Sequence, residues 1–177
     1  TFVAIRAEIS NWRWAGVPFY LRTGKRMKQK QTQIVIHFKQ QPHFIFDPEQ
    51  RNLANNKLIL NLQPNEGVVL QVQTKSPGIN NDIQIETTEL DLNFLKEHRG
   101  IRTPHAYERL LYEVIKGNQY LFVRRDEIEH AWAWCDSIME HWSSPEHILH
   151  KYPAGSWGPV ESQIIIRNDK RQWFGEH

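Results

Sequence analysis

The stretch KLILNLQPNEGVVLQVQT, residues 57–74, decides the fold class. Apolar and polar residues alternate over residues 57–63 and again over residues 67–74, which is typical of strands with one buried face. Between the two runs lie Pro64, Asn65 and Gly67, residue types that favour tight turns. The stretch therefore predicts two antiparallel strands joined by a hairpin.

The same alternation on either side of the hairpin predicts more strands. These are residues 2–9, 19–23, 33–39 and 83–90. Residues 40–56 and 76–82 are rich in Pro, Asn and Asp, and we predict loops there. Residues 11–18 contain Trp12 and Trp14 and end in proline, which predicts a packed loop.

The second half of the chain has helical periodicity. Thr103 as the N-cap and Pro104 at the first helical position predict a helix that Gly117 ends. Further helices are predicted over residues 125–142 and 160–168. The apolar stripe of the longer one, predicted to be buried, is Ile128, Ala131, Trp132, Cys135, Ile138, Met139 and Trp142. Strands followed by helices predict an α+β domain, a large, mainly antiparallel sheet with the helices packed on one face.

Composition limits the possible functions. The chain has 177 residues, 40% of them hydrophobic and 24% charged, and we expect it to bury a core. The net charge of +2 includes no basic arm, so nucleic acid is not an expected partner. No apolar run reaches the length of about 18 residues that a membrane-spanning helix needs. A single cysteine, Cys135, is typical of the reducing cytoplasm. Because the chain begins at Thr1 inside a strand pattern, we expect a piece of a longer protein.

One cluster of cations suggests ligand binding. Residues 22–30, RTGKRMKQK, contain five basic side chains around Gly24, which we expect to let the backbone turn. Lysines at the end of a strand suit a phosphate oxygen or a sugar hydroxyl. The alternative, which composition alone favours, is a solvent-exposed basic hairpin without a ligand.

Other chemistries lack their motifs. The histidines do not have the spacing of a helix-borne zinc site, so no metal is expected. Cys135 lies on an apolar stripe and is interpreted as a buried, inert thiol. The chain has no Gly-x-Ser-x-Gly and no Gly-x-Gly-x-x-Gly motif. Core packing is the expected role of every tryptophan except Trp157 and Trp173. These residues alone indicate an α+β domain with a basic turn and name no reaction.

Several strings together resemble the C-terminal domain of the glucose-6-phosphate 1-dehydrogenase family. They are SNWRWAGVPFYLRTGKR at residues 10–26, QPNEG at 63–67, AYERLL at 106–111, FVRRDE at 122–127 and YPAGSWGP at 152–159. They follow the family's order and span nearly the whole chain. The resemblance implies that residues 1–177 are the C-terminal substrate and dimerisation domain of an NADP-dependent enzyme. That enzyme oxidises D-glucose 6-phosphate to 6-phosphoglucono-1,5-lactone in the pentose phosphate pathway.

The resemblance also implies roles for three residues: Lys25 and Lys30 bind the substrate, and Gln63 lies near the sugar. The family's catalytic base and its dinucleotide-binding domain belong to N-terminal segments that these 177 residues do not contain. We therefore expect no catalytic residue here, NADP bound mainly elsewhere, and no activity from the chain alone.

Two further expectations concern partners. Some animal members hold a second, structural NADP on these strands through Arg, Lys and Tyr side chains. Val35, Asn61, Val69 and Gln71 stand at those positions here, so we expect no such site. The family self-associates through the sheet, which implies a dimer or a tetramer. A dimerisation or interaction module without enzymatic function remains the alternative.

Overall fold

The computed structural model describes residues 1–40, 55–77, 85–93 and 104–175. The chain forms two compact units. The first comprises Thr1–Arg99 together with Lys151–His177, and the second comprises Gly100–His150. Every described strand belongs to the first unit, which also contains the residues predicted to bind substrate.

The described strands pair in antiparallel fashion and form two sheets. They are β1 (Phe2–Glu8), β2 (Pro18–Gly24), β3 (Thr32–His37), β4 (Lys57–Gln63), β5 (Gly67–Lys75) and β6 (Ile85–Asn93). Strands β1 and β2 form one sheet, and β3, β4, β5 and β6 form the other in that order. The predicted mainly antiparallel α+β fold is confirmed, although the strands are divided between two sheets.

The residues between β2 and β3 explain why the strands form two sheets. Instead of closing a hairpin between β2 and β3, the intervening residues bond to a distant segment. The N–H of Lys28 donates to the carbonyl oxygen of Ser156 at 3.0 Å. The predicted loops are only partly visible, since residues 41–54 and 78–84 lie outside the described part of the chain.

The hairpin of the opening stretch is confirmed. Strand β4 ends at Gln63 and β5 begins at Gly67, and the peptide bond between Gln63 and Pro64 is cis. Gly67 is buried, and a Cβ there would lie 2.8 Å from the carbonyl oxygen of Leu92. Glycine is therefore required by the close approach of β6. At the centre of this sheet, Ile59 is only 5% exposed.

The described helices are α1 (Ala106–Lys116), α2 (Arg125–Trp142) and α3 (Glu161–Arg167). The bounds of α2 are as predicted, and Gly117, at φ +68°, ends α1 in the left-handed region. The predicted start of α1 was wrong, because His105 is the N-cap and Pro104 precedes the helix. Thr103 lies outside the described residues. Within the first unit, α3 packs against β1.

The predicted buried stripe of α2 was wrong. None of the 18 residues of this fully described helix is buried, and Trp132 is 61% exposed. Cys135 is half-buried with a free thiol. Helical periodicity identifies the apolar face but not the surface that covers it. Across the described residues the buried apolar side chains are Ile59, Pro159 and Ile166, which is a smaller core than we expected.

The loop before β2 also differs from its prediction. Trp12 is fully exposed, so the loop is not packed around its tryptophans. Trp14 lies at the surface, with its ring 5.3 Å from that of Phe19. Asn11 organises the turn by accepting the backbone N–H of Trp14 on its Oδ1 at 2.8 Å.

Candidate functional site

The candidate site is the basic turn, residues 22–30. Gly24 was expected to let the backbone turn, but it is not the residue in the left-handed region. It is the last residue of β2, and a Cβ there would lie 2.8 Å from the ring of Phe2 and 3.0 Å from the sulfur of Met27. Close packing therefore requires glycine. The residue in the left-handed region is Arg26, at φ +52°.

The backbone of the basic turn is held by residues 152–158, here named the clamp segment. The N–H of Lys28 donates to the carbonyl oxygen of Ser156, and the N–H of Gly155 donates to that of Arg26 at 2.8 Å. The two segments also form a parallel β-bridge. The family resemblance includes residues 10–26 and residues 152–159 as separate strings. In the structure, the end of the first string contacts the second.

Tyr152 contributes a side chain to this arrangement. Its hydroxyl donates to the carbonyl oxygen of Lys25 at 2.6 Å and lies 3.0 Å from that of Thr1. The N–H of Lys25 donates to the same Thr1 oxygen at 2.8 Å. The peptide groups on both sides of the Lys25 Cα are therefore hydrogen-bonded. The Tyr152 ring rests against Phe2, with 5.3 Å between ring centres.

Arg22 is a structural cation of the basic turn. Its guanidinium carbon lies 5.1 Å from the ring centre of Trp157 and 4.5 Å from that of Trp173. Burial between these rings lowers the pKa of Arg22 to about 10. The indole faces offset part of the desolvation cost through cation–π attraction. Trp157 and Trp173 were the two tryptophans not expected to pack in the core. Both are half-buried and lie against Arg22.

A second polar cluster joins the first two strands to the residues after α3. The carboxylate of Asp169 accepts hydrogen bonds from the hydroxyl of Tyr20 and from Nε of Arg6, the latter at 2.8 Å. These hydrogen bonds, that of Tyr20 first, lower the pKa of Asp169. Arg6 also pairs with Glu8 at 2.7 Å. Sequence reasoning missed this cluster, because no local motif marks residues this far apart.

The three residues predicted to bind substrate occupy strand ends. Lys25 directly follows β2, and Lys30 precedes the start of β3 at Thr32. Thr32 is the register partner of Gln63, so Lys30 and Gln63 lie at the same end of the four-stranded sheet. All three side chains are exposed and available to a ligand. Their contact with substrate stays a prediction.

Among the described residues, no group of three His, Cys, Asp or Glu side chains could hold a metal ion. The rings of His141 and His147 are 4.6 Å apart, but no third ligand joins them in this part of the chain. No helix in the described ranges is both long and apolar enough to cross a membrane.

The fold and the site define an α+β domain that presents exposed lysines from a braced turn at its strand ends. The profile of the family described as "Glucose-6-phosphate dehydrogenase, C-terminal domain" matches residues 1–174. The chain belongs to this family, and the resemblance stated from its motifs is confirmed.

Similar proteins carry the same name. The chain is 51% identical over 173 residues to "Glucose-6-phosphate 1-dehydrogenase" of Rhizobium meliloti (strain 1021), and 49% identical over 173 residues to that of Dickeya dadantii (strain 3937). Each match covers 98% of this chain and 35% of the relative. The chain therefore spans about a third of the length of these curated relatives.

Solved structures agree with this assignment. The crystal structure of glucose-6-phosphate 1-dehydrogenase from Mycobacterium avium superposes with a TM-score of 0.80 at 32% identity, covering 100% of this chain and 36% of that one. A glucose-6-phosphate dehydrogenase described as in complex with its substrate glucose-6-phosphate gives 0.83 at 30% identity, covering 100% and 35%. The alternative of a module without an enzymatic parent is not favoured.

Proposed function

We propose that this domain is the C-terminal part of an NADP-dependent glucose-6-phosphate 1-dehydrogenase and forms the cationic wall of its sugar-phosphate pocket. The enzyme oxidises carbon 1 of D-glucose 6-phosphate and transfers the hydride to NADP, giving 6-phosphoglucono-1,5-lactone. Family membership supports the reaction. The observation that carries the role of this domain is the basic turn, whose backbone is braced while its lysine side chains are exposed.

In this proposal Lys25 and Lys30 bind the substrate. Two ammonium groups balance the charge of the phosphate and orient the sugar, and Gln63 offers an amide to sugar hydroxyls. Hydride transfer depends on holding carbon 1 near its acceptor, so positioning supplies much of the catalytic effect. Because the turn is already braced, less ordering is required when the substrate binds.

We infer that the strands of this domain do not hold NADP. The 177 residues contain no glycine-rich dinucleotide motif. Val35 and Val69 on the four-stranded sheet offer no charge, and the amide of Gln71 donates to Glu89 at 2.7 Å. We therefore assign NADP binding to the N-terminal part of the enzyme. In this proposal the strands of this domain do not hold the hydride acceptor.

We further propose that the enzyme is a cytoplasmic homodimer or tetramer that associates through the sheet. Leu90 and Leu92 on β6, the last strand in the order of the described four-stranded sheet, are 57% and 58% exposed, and such paired apolar side chains suit an interface. In the enzyme, glutamate at both positions is expected to shift the mass measured by light scattering toward the monomer. An unchanged mass would remove this strand from the interface.

Kinetics of Lys25→Ala in the enzyme that carries this domain test the proposed site. A hydrogen bond to a charged group contributes about 1.5–3 kcal/mol, so the KM for glucose 6-phosphate should rise about 10-fold to 100-fold. The KM for NADP should change less than about twofold, since NADP is assigned elsewhere.

Lys75→Ala is the matched control, because it removes the same charge from an exposed position at the end of β5. It should leave both constants unchanged. If Lys25→Ala leaves the sugar-phosphate KM unaltered, or if Lys75→Ala raises it equally, Lys25 does not bind the substrate.

A further inference from the structure

The hydroxyl of Tyr152 donates a side-chain hydrogen bond to the backbone carbonyl oxygen of Lys25 at 2.6 Å. We infer that Tyr152 is a positioning residue, which acts through Lys25 to set the affinity of the pocket for its sugar phosphate. The inference rests on the proposed function, in which Lys25 binds the substrate.

Lys25 is held on both sides of its Cα. On the amide side, its N–H donates to the carbonyl oxygen of Thr1 at 2.8 Å. On the carbonyl side, its oxygen accepts the Tyr152 hydroxyl at 2.6 Å. That hydroxyl also lies 3.0 Å from the Thr1 oxygen, so the three groups form a closed ring of contacts. Because the peptide groups on both sides of the Lys25 Cα are held, the position of the Cα and the direction of its Cα–Cβ bond are fixed.

Tyr152 can serve as an anchor because its own ring is held. The ring packs on Phe2 at a centre-to-centre distance of 5.3 Å and an interplanar angle of 60°. Phe2 in turn lies in β1 against Gly158, where there is no room for a Cβ. The hydroxyl therefore comes from a packed aromatic pair in the clamp segment, and it does not depend on the lysine for its position.

The rest of the basic turn does not replace this contact. The other hydrogen bonds from the clamp segment attach at Arg26 and Lys28, beyond the lysine. Without the hydroxyl, the Lys25 carbonyl oxygen loses this hydrogen bond, and the backbone that carries the lysine side chain becomes more mobile. A displacement of about 1 Å in a positioning group can reduce catalysis by about 100-fold, so a small backbone shift is expected to be measurable.

Tyr152→Phe in the whole enzyme tests the inference, because it removes the hydroxyl and keeps the ring on Phe2. The KM for glucose 6-phosphate should rise about threefold to tenfold, as for the loss of one hydrogen bond, and the KM for NADP should stay within about twofold. In a Lys25→Ala background, Tyr152→Phe should change the KM for glucose 6-phosphate by less than about twofold, because the effect of the hydroxyl passes through the lysine. Tyr107→Phe, which removes a hydroxyl from an 80% exposed ring, is the control.

The outcomes are distinct. If Lys25→Ala raises the sugar-phosphate KM and Tyr152→Phe does not, the inference fails and the proposed function stands. An equal effect of Tyr152→Phe in both backgrounds also overturns the inference, because the hydroxyl would then act independently of Lys25. If Lys25→Ala has no effect, the proposed role of Lys25 fails together with the inference.

Amide hydrogen exchange gives a readout that needs no turnover. In the Tyr152→Phe enzyme, the amides of residues 25–28 should exchange about tenfold faster, as expected for the loss of about one hydrogen bond, while those of α2 stay unchanged. Unchanged exchange at residues 25–28 would show that the hydroxyl does not brace the turn.

Discussion

Replacing Gly158 by alanine should break the packing that supports the candidate site. Gly158 has φ +110°, and a Cβ built there would lie 2.3 Å and 2.6 Å from two ring atoms of Phe2. Both distances are far shorter than a van der Waals contact, so the Phe2 ring must move. That ring supports Tyr152, and the disturbance should therefore reach the Lys25 backbone.

The expected cost has two parts. Holding alanine at a positive φ costs about 1–3 kcal/mol. Forcing a methyl group into a filled space costs about 1–3 kcal/mol more. The local opening free energy of this region should fall by about 2–6 kcal/mol, the sum of these two contributions. Each 1.4 kcal/mol corresponds to about a tenfold change in the opening equilibrium.

Gly155→Ala is the matched control. Its φ is +81°, but no atom lies within 4 Å of the added Cβ, so only the backbone contribution applies. Hydrogen exchange of residues 22–30, measured by mass spectrometry on the enzyme that carries this domain, should accelerate about fivefold to 100-fold more for Gly158→Ala than for Gly155→Ala, as the overpacking cost of about 1–3 kcal/mol implies. Phe2→Ala should partly rescue Gly158→Ala by making space. Equal acceleration by the two glycine variants would refute the packing argument.

Two further outcomes follow from the described contacts. Because Tyr20 and Arg6 hold the pKa of Asp169 below its ordinary value of 3.8, its contribution to stability is present above that pH and is lost as the pH falls through the lower folded value. Asp169→Asn should therefore remove stability at pH 7 and flatten the acid part of the stability profile, and an unchanged urea midpoint at pH 7 would contradict this. Gly117→Ala at the end of α1 should cost about 1 kcal/mol, because φ +68° strains alanine in otherwise open space. Thermal unfolding measures this cost, and a stabilised variant would contradict it.

The local structure of this domain could be predicted from local patterns. Alternation over residues 57–63 and 67–74 placed β4 and β5 within a residue of their observed ends. The apolar periodicity of residues 125–142 gave the bounds of α2, and Gly117 marked the end of α1. These features depend on neighbours in the sequence, so a single sequence contains them.

Contacts between distant segments could not be predicted in this way. The sandwich of Arg22 between Trp157 and Trp173 depends on the first and last parts of the unit meeting, and no local pattern states that they do. Gly24 illustrates the same limit. Its position beside a basic stretch predicted that it lets the backbone turn, whereas glycine is required there because Phe2 and Met27 leave no room for a Cβ.

Burial was overestimated for a related reason. The stripe of α2 was predicted to be buried, yet Trp132 is 61% exposed, and Tyr107 on α1 is 80% exposed. Amphipathic periodicity indicates which face of a helix is apolar, but it does not identify the surface that packs against that face. The chain spans about a third of the length of the curated relatives it matches, and the proposed function assigns the pocket's remaining walls to the rest of the enzyme.

The central claim is that the exposed lysines of the basic turn bind the phosphate of the substrate. The most direct test is the ratio of kcat/KM for glucose 6-phosphate to kcat/KM for unphosphorylated glucose, measured in the enzyme with Lys25→Ala and Lys30→Ala combined. Two lost charge-assisted contacts should reduce this ratio by about 100-fold or more. A folded double variant that retains the wild-type ratio would contradict the account.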